Sequence, residues 1–128
     1  MRLLIDTQIL LWVIYQPEKL SPALGKRLCD GNVDVYFSAV SIAEIAIKSS
    51  LGRADFPFQA EEVAQAARDT DFLELPLDVR HSIRLATLIW HHRDPFDRLL
   101  VAQAIEEGVR FVTADRLLAA YSDLVEIL

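Results

Sequence analysis

A single cysteine, Cys29, occurs in 128 residues. That excludes a disulfide framework and a paired-thiolate zinc site, favours a reducing compartment, and leaves Cys29 to be read as a small, partly buried hydrophobe. Glycine and proline are scarce too, four and five respectively, and neither a linker nor a low-complexity tract is visible. No apolar run approaches the roughly 18 residues of a membrane span. Even Ile9 to Tyr15 gives way at once to Gln16 and Pro17. With no secretory or transit-type segment recognisable, the expectation is a soluble, cytoplasmic protein without membrane contact. Positive charge is in deficit as well: 13 Lys and Arg face 19 Asp and Glu, for a net charge of −6. Phosphate contacts depend on Lys and Arg, so the deficit argues against a nucleic-acid partner, unless the acids are gathered around cations in one place. In that case Arg53, Arg80, Arg84, Arg93 and Arg98 could line an approach.

What the chain does have is apolar content, 52% of its residues, enough to bury a core in one compact domain spanning residues 1–128. Its periodicity alternates between two and 3.6 throughout. Strands are expected over Arg2–Ile5, Val33–Ser38, Phe72–Leu75, Phe111–Thr113 and Leu124–Leu128. Between them, helices are expected from Thr7 to about Tyr15, from Ser21-Pro22 to near Gly31, and from Ser41 to Leu51 with Gly52 as C-cap. Further helices are expected over Glu61–Arg68, from Val79 to about Trp90, over Pro95–Glu107 ending at Gly108, and over Arg116–Tyr121. Such alternation predicts an α/β fold in three α/β/α layers, with a central parallel sheet of about four to five strands flanked by helices.

Four carboxylates stand at junctions in this pattern. Asp6 closes the first strand, Asp115 follows Phe111-Val112-Thr113, Glu44 lies one turn into the helix after Ser38, and Asp97 lies in the first turn of the helix opened by Pro95. In open parallel sheets ligands bind outside the carboxyl ends of the strands, which would bring all four to one edge. Two unit charges about 4 Å apart repel by about 4 kcal/mol at an effective dielectric near 20, so such a group needs a cation. All-oxygen donors favour Mg²⁺ or Mn²⁺ over zinc.

Plainer roles exist for each acid. Asp94-Pro95-Phe96-Asp97 is a well-formed helix start with Asp94 as N-cap and Asp97 placed against the helix dipole, and Asp6 and Asp115 could each cap a helix. Glu44 sits in a nearly all-apolar helix, where a carboxylate is costly unless paired. Its i+4 neighbour Lys48 offers a structural ion pair.

The segments Leu3-Leu4-Ile5-Asp6-Thr7 with Leu10-Leu11-Trp12, Ser38 to Lys48, His92 to Ala104, and Val112-Thr113-Ala114-Asp115 resemble, in order and spacing, the PIN-domain family. They are most similar to its VapC-type toxins of bacterial toxin–antitoxin pairs. The resemblance covers essentially the whole chain, and its third segment is the most specific part. It implies a Mg²⁺- or Mn²⁺-dependent endoribonuclease that cuts structured RNA such as tRNA or rRNA by means of activated water. Asp6, Glu44, Asp97 and Asp115 are then the catalytic and metal-binding residues, with Thr113 as the hydroxyl beside the fourth acid and Asp94 left as the helix cap. It further implies a homodimer held by a VapB-type antitoxin. Gln8 departs from the His that many relatives carry there.

Other readings compete. A catalytically silent PIN-like interaction module, or a metal-dependent nuclease outside toxin biology, would keep the same fold. A phosphoaspartyl hydrolase needs a second Asp where Gln8 stands, and a flap-type DNA nuclease needs clamping elements for which the chain has little room. His91-His92 is a poor zinc pair because adjacent histidines point apart, though His92, Arg93 or Arg98 could meet phosphate. Trp12 and Trp90 read as core or interface. Leu10, Leu11, Ile14 and Leu99-Leu100 exceed what a small core needs and suggest a dimer or antitoxin surface.

Overall fold

A computed structural model describes residues 1–89 and 94–127. The readings of Trp90, His91, His92, Arg93 and Leu128 fall outside the described residues.

The first strand, β1 (Arg2–Ile5), runs into α1 (Thr7–Tyr15), which stops before Pro17 and a 3-10 turn at Pro17–Lys19. Ser21 caps α2 (Pro22–Cys29) by accepting from the Leu24 N–H, with Pro22 at the position where a missing N–H costs nothing. β2 (Asp34–Ser38) then leads directly into α3 (Ala39–Ser50). This helix starts two residues before the expected Ser41, because the Ser38 hydroxyl accepts from the Val40 N–H and acts as the cap itself. α4 (Ala60–Asp69), β3 (Leu73–Leu75), α5 (Val79–Arg84), α6 (Pro95–Glu107), β4 (Arg110–Thr113) and β5 (Val125–Ile127) complete the chain. The helix expected from Val79 to about Trp90 is shorter: the α-helix ends at Arg84 and tightens into a 3-10 turn at Leu85–Thr87. Another 3-10 turn, Arg116–Tyr121, replaces the expected short helix after β4. Gly108, at φ 63°, closes α6 in the left-handed conformation that glycine adopts without penalty.

All five strands are parallel, in the order β3-β2-β1-β4-β5. β1 is central and buried on both faces. Leu3 and Ile5 join Ile9, Leu10, Leu24, Val63 and Ala67 of α1, α2 and α4 in one core. Leu4 points to the other face, where it joins Leu100, Val101 and Ala104 of α6, together with Phe111 and Leu118. The period-two pattern thus builds two cores on opposite faces of one sheet, the expected three-layer α/β/α arrangement. Each buried Leu, Ile or Phe contributes about 1.5 to 3 kcal/mol, so both helical layers are firmly attached.

This packing changes several expectations. Leu10, Leu11 and Leu100 are core residues rather than surface, and Trp12 and Ile14 lie partly buried against that core. The large apolar side chains that do face solvent include Leu77, Val79 and Ile83 on and before α5, and Ile47 and Leu51 on α3 and at its end. Cys29 is exposed, not semi-buried, because it ends α2 beside the turn at residues 31–32.

Candidate active site

From β1 the chain proceeds to β2 on one side, while β4 lies on the other. The strand order therefore reverses between β1 and β4, and their carboxyl ends diverge into a crevice. Asp6 ends β1 and extends its pairing with β4, its N–H donating to the Val112 carbonyl at 3.1 Å. Asp115 follows β4 by two residues.

A cleft of about 360 Å³ opens at this point, lined by Asp6, Thr7, Gln8, Leu11, Glu44, Lys48, Asp94, Asp97, Ala114 and Asp115. All four predicted acids line it. Asp94 lines it too, a placement the sequence did not suggest because its role as helix cap accounted for it. That role is real, with its carboxylate accepting from the N–H groups of Phe96 at 2.9 Å and Asp97 at 3.4 Å.

Capping and cleft-lining prove compatible. Asp6 accepts from the Ile9 N–H at 2.7 Å and caps α1, and Asp115 accepts from the Leu117 N–H at 3.0 Å and caps the following 3-10 turn. These two junctions, after β1 and after β4, place their capping carboxylates at the same sheet edge, with backbone N–H groups behind them.

Asp6 is only 5% exposed. Burial pushes its carboxyl above its ordinary value of 3.8, against the opposing pull of hydrogen bonds from Thr113, Ile9 and Ala114, and the charge on Glu44 adds to the rise. The Thr113 hydroxyl, which donates to Asp6, also accepts the Asp115 N–H at 3.0 Å and so links the first acid to the fourth. Across the cleft, Glu44 is also 5% exposed. Its Oε1 accepts from the Thr7 hydroxyl at 2.7 Å, its Oε2 from Lys48 Nζ at 2.6 Å, and the Ser41 hydroxyl lies 2.9 Å from that of Thr7. Thr7 and Ser41 were not singled out as supports for Glu44. The i, i+3 spacing of Ser41 and Glu44 was the available signal, since it puts both on one helix face.

Among the described residues, none of the expected arginines lines the cleft. Arg53 pairs with Asp55, Arg80 with Glu107, and Arg84 with Glu106. Arg98 is buried, with an N–H group 3.3 Å from the Leu88 carbonyl. Lys48 is the single basic residue among the described residues lining the cleft.

A second group also has ligand-type side chains. Asp78, His81 and Glu107 have ligand atoms within 4.8 Å of one another, outside the cleft. His81 is fully buried. Its Nδ1 lone pair accepts the Asp78 N–H at 2.9 Å, which leaves the ring proton on Nε2, 2.9 Å from Glu107 Oε1. Both ring nitrogens are engaged, so the trio reads as a clamp between α5 and α6 with no imidazole lone pair left for a metal.

A parallel α/β domain with an acidic cleft at the strand-order switch is the class these observations define. The chain belongs to the PIN domain family, whose model matches residues 3–124. Among solved structures it is similar to VapBC2 from Rickettsia felis bound to a promoter DNA fragment, at 15% identity and a TM-score of 0.74, covering 100% of this chain and 99% of the other. VapBC-5 from Mycobacterium tuberculosis, of a toxin–antitoxin family, is similar at 21% identity and a TM-score of 0.65, with 99% and 97% covered. VapBC-1 from nontypeable Haemophilus influenzae matches at 15% and 0.64, with 99% and 98% covered. No curated protein matches the sequence significantly. Among the described residues, no helix is long and apolar enough to cross a membrane.

Proposed function

We propose that this protein is a VapC-like toxin ribonuclease that cleaves structured RNA, tRNA or rRNA, with Mg²⁺ or Mn²⁺ held by Asp6, Glu44, Asp97 and Asp115. The observation that carries the reading is the meeting of these four acids in one cleft at the switch point of a PIN fold. The donor set fits the ion: five carboxylates, the Thr7 hydroxyl and the Gln8 amide line the cleft among the described residues, with no thiolate and no imidazole. A buried Asp6 whose ionisation is opposed by its surroundings is the setting a cation relieves.

When bound, the cation supplies an acidified water and an electrophilic contact to the phosphodiester. The chain's own groups prepare the site. Thr113 fixes the rotamer of Asp6 and ties it to the Asp115 backbone, while Thr7 and Lys48 hold the two oxygens of Glu44. Helix N–H groups behind Asp6, Asp94 and Asp115 orient the carboxylates without neutralising them. Water is the attacking group, so no side-chain nucleophile is needed.

The relatives described above are VapBC complexes. This supports a VapB-type antitoxin as partner, with a homodimer as the expected assembly. Exposed Leu77, Val79 and Ile83 offer an apolar surface for a protein partner.

Incubating purified, antitoxin-free protein with total cellular RNA and Mg²⁺ or Mn²⁺, beside EDTA and Asp97→Asn controls, tests the reading. Discrete fragments that require both the ion and Asp97 support it. Intact RNA from folded, ion-loaded protein favours the silent PIN-like interaction module.

A further inference from the structure

Lys48 follows Glu44 by one helical turn, in the order that favours such pairs. The two partners have unequal surroundings. The Glu44 side chain is 7% exposed and the Lys48 side chain 44%, so a nearly buried carboxylate is answered by a cation that reaches in from the solvent side. The Lys48 ammonium lies 2.6 Å from Glu44 Oε2 and 5.9 Å from the centre of the Phe56 ring, whose face attracts a cation at that distance. Five carboxylates share this cleft with that one described basic residue.

We propose that Lys48 is an exchangeable counter-cation and a substrate-positioning residue. It holds Glu44 in place while the cleft contains no divalent ion, gives that oxygen up when the ion binds, and then contacts a backbone phosphate of the nucleic acid. The inference rests on the metal-dependent nuclease reading above. It follows from charge and reach. An ion bound to Glu44 takes over the neutralisation Lys48 provides, and two cations cannot share Oε2 without mutual repulsion. Lys48 is long, flexible and solvent-facing, so it can swing to the cleft mouth at little cost, as a lysine that acts as a point charge on phosphate must.

Calorimetric titration of Mn²⁺, without RNA, into wild-type protein, Lys48→Met and Lys48→Arg tests the first half. Methionine keeps an unbranched side chain of similar length and removes the charge. Lys48→Met is expected to bind Mn²⁺ roughly tenfold more tightly than wild type, and Lys48→Arg within about twofold of it. Steady-state cleavage of RNA tests the second half. Lys48→Met is expected to raise KM by about tenfold with kcat within about threefold, and Lys48→Arg to restore KM. Unchanged Mn²⁺ affinity in Lys48→Met, or an unchanged KM, overturns the assignment. A wild-type protein that binds no Mn²⁺ overturns the metal reading itself. A wild type that binds Mn²⁺ and cleaves RNA, with Lys48→Met indistinguishable from it, overturns only the role of Lys48.

Discussion

Thr113 and Asp6 lie 107 residues apart in sequence and are joined by a hydrogen bond, the hydroxyl at the end of β4 donating to the carboxylate at the end of β1. Because Asp6 also accepts from the Ile9 N–H, both of its oxygens are fixed before any ligand arrives.

Replacing Thr113 with Val removes that donor while conserving shape. The Asp115 N–H loses its acceptor in the same step. The expected result is a loss of about 1 to 2 kcal/mol in denaturant stability, because a buried acceptor and a part-buried donor go unsatisfied. Divalent-ion affinity should fall by roughly 10- to 100-fold, as it does when an orienting partner of a ligand is removed. Thr113→Ser should recover most of both. Equal behaviour of the Val and Ser variants in an ion titration contradicts the link.

The raised Asp6 pKa makes a pH prediction with a definite sign. Folding favours the neutral form, so the stability Asp6 contributes is fully present below its unfolded value near 3.8 and is lost as pH rises through the higher folded value. Ion-free wild type should therefore lose stability relative to Asp6→Asn as pH rises from about 4 through the folded value, by about 1.4 kcal/mol for each pH unit that separates the folded from the unfolded value. Asn can still cap α1 at this position. Saturating Mg²⁺ should reverse the order of the two proteins. Paired urea melts across this range check it, and parallel pH curves without Mg²⁺ speak against a buried, strained Asp6.

Much of this was legible in the sequence because it depends on local rules. Asp6, Ser21, Asp94 and Asp115 are capping residue types at strand or loop ends, and each does cap. The fold class followed from alternating periods, and the cleft from the rule that such sheets bind ligands at strand carboxyl ends. What the sequence did not reveal depends on three-dimensional neighbours. The start of α3 moved because Ser38 both ends a strand and caps a helix. α5 ended early at Arg84, although its apolar spacing continued. Leu10, Leu11 and Leu100 entered the two cores because β1, having only three fully buried residues of its own, needs both helical layers. The expected Arg53, Arg80 and Arg84 were drawn to acids elsewhere on the surface, and the basic residue that lines the cleft among the described residues is a lysine read as a helix-pair partner.

Glu107 is the acceptor for the fully buried His81 and for Arg80. Burial works against its ionisation, but the His81 hydrogen bond and the Arg80 charge outweigh it and hold the carboxyl below its ordinary 4.5. A depressed carboxylate contributes stability above its unfolded value that is lost as pH falls through the folded one. Glu107→Ala should leave His81 Nε2–H without its acceptor and cost about 1 to 3 kcal/mol at pH 7. That cost should shrink as pH falls from the unfolded value of 4.5 through the lower folded one, where the carboxylate becomes protonated. RNA cleavage per folded molecule should be unchanged, since the clamp lies outside the cleft. A denaturation series at about pH 7 and about pH 3.5, beside an activity assay, measures all three.

Two groups of acids could compete for a divalent ion, the cleft at the β1/β4 switch point and the Asp78-His81-Glu107 trio. Electron paramagnetic resonance of free Mn²⁺, titrated with wild type, Asp6→Asn, Asp97→Asn and Asp78→Asn, separates the two most directly. Binding is expected in wild type and Asp78→Asn, weakened at least about tenfold in Asp6→Asn and Asp97→Asn. Binding that survives both cleft substitutions and disappears in Asp78→Asn would contradict the cleft as the ion's site.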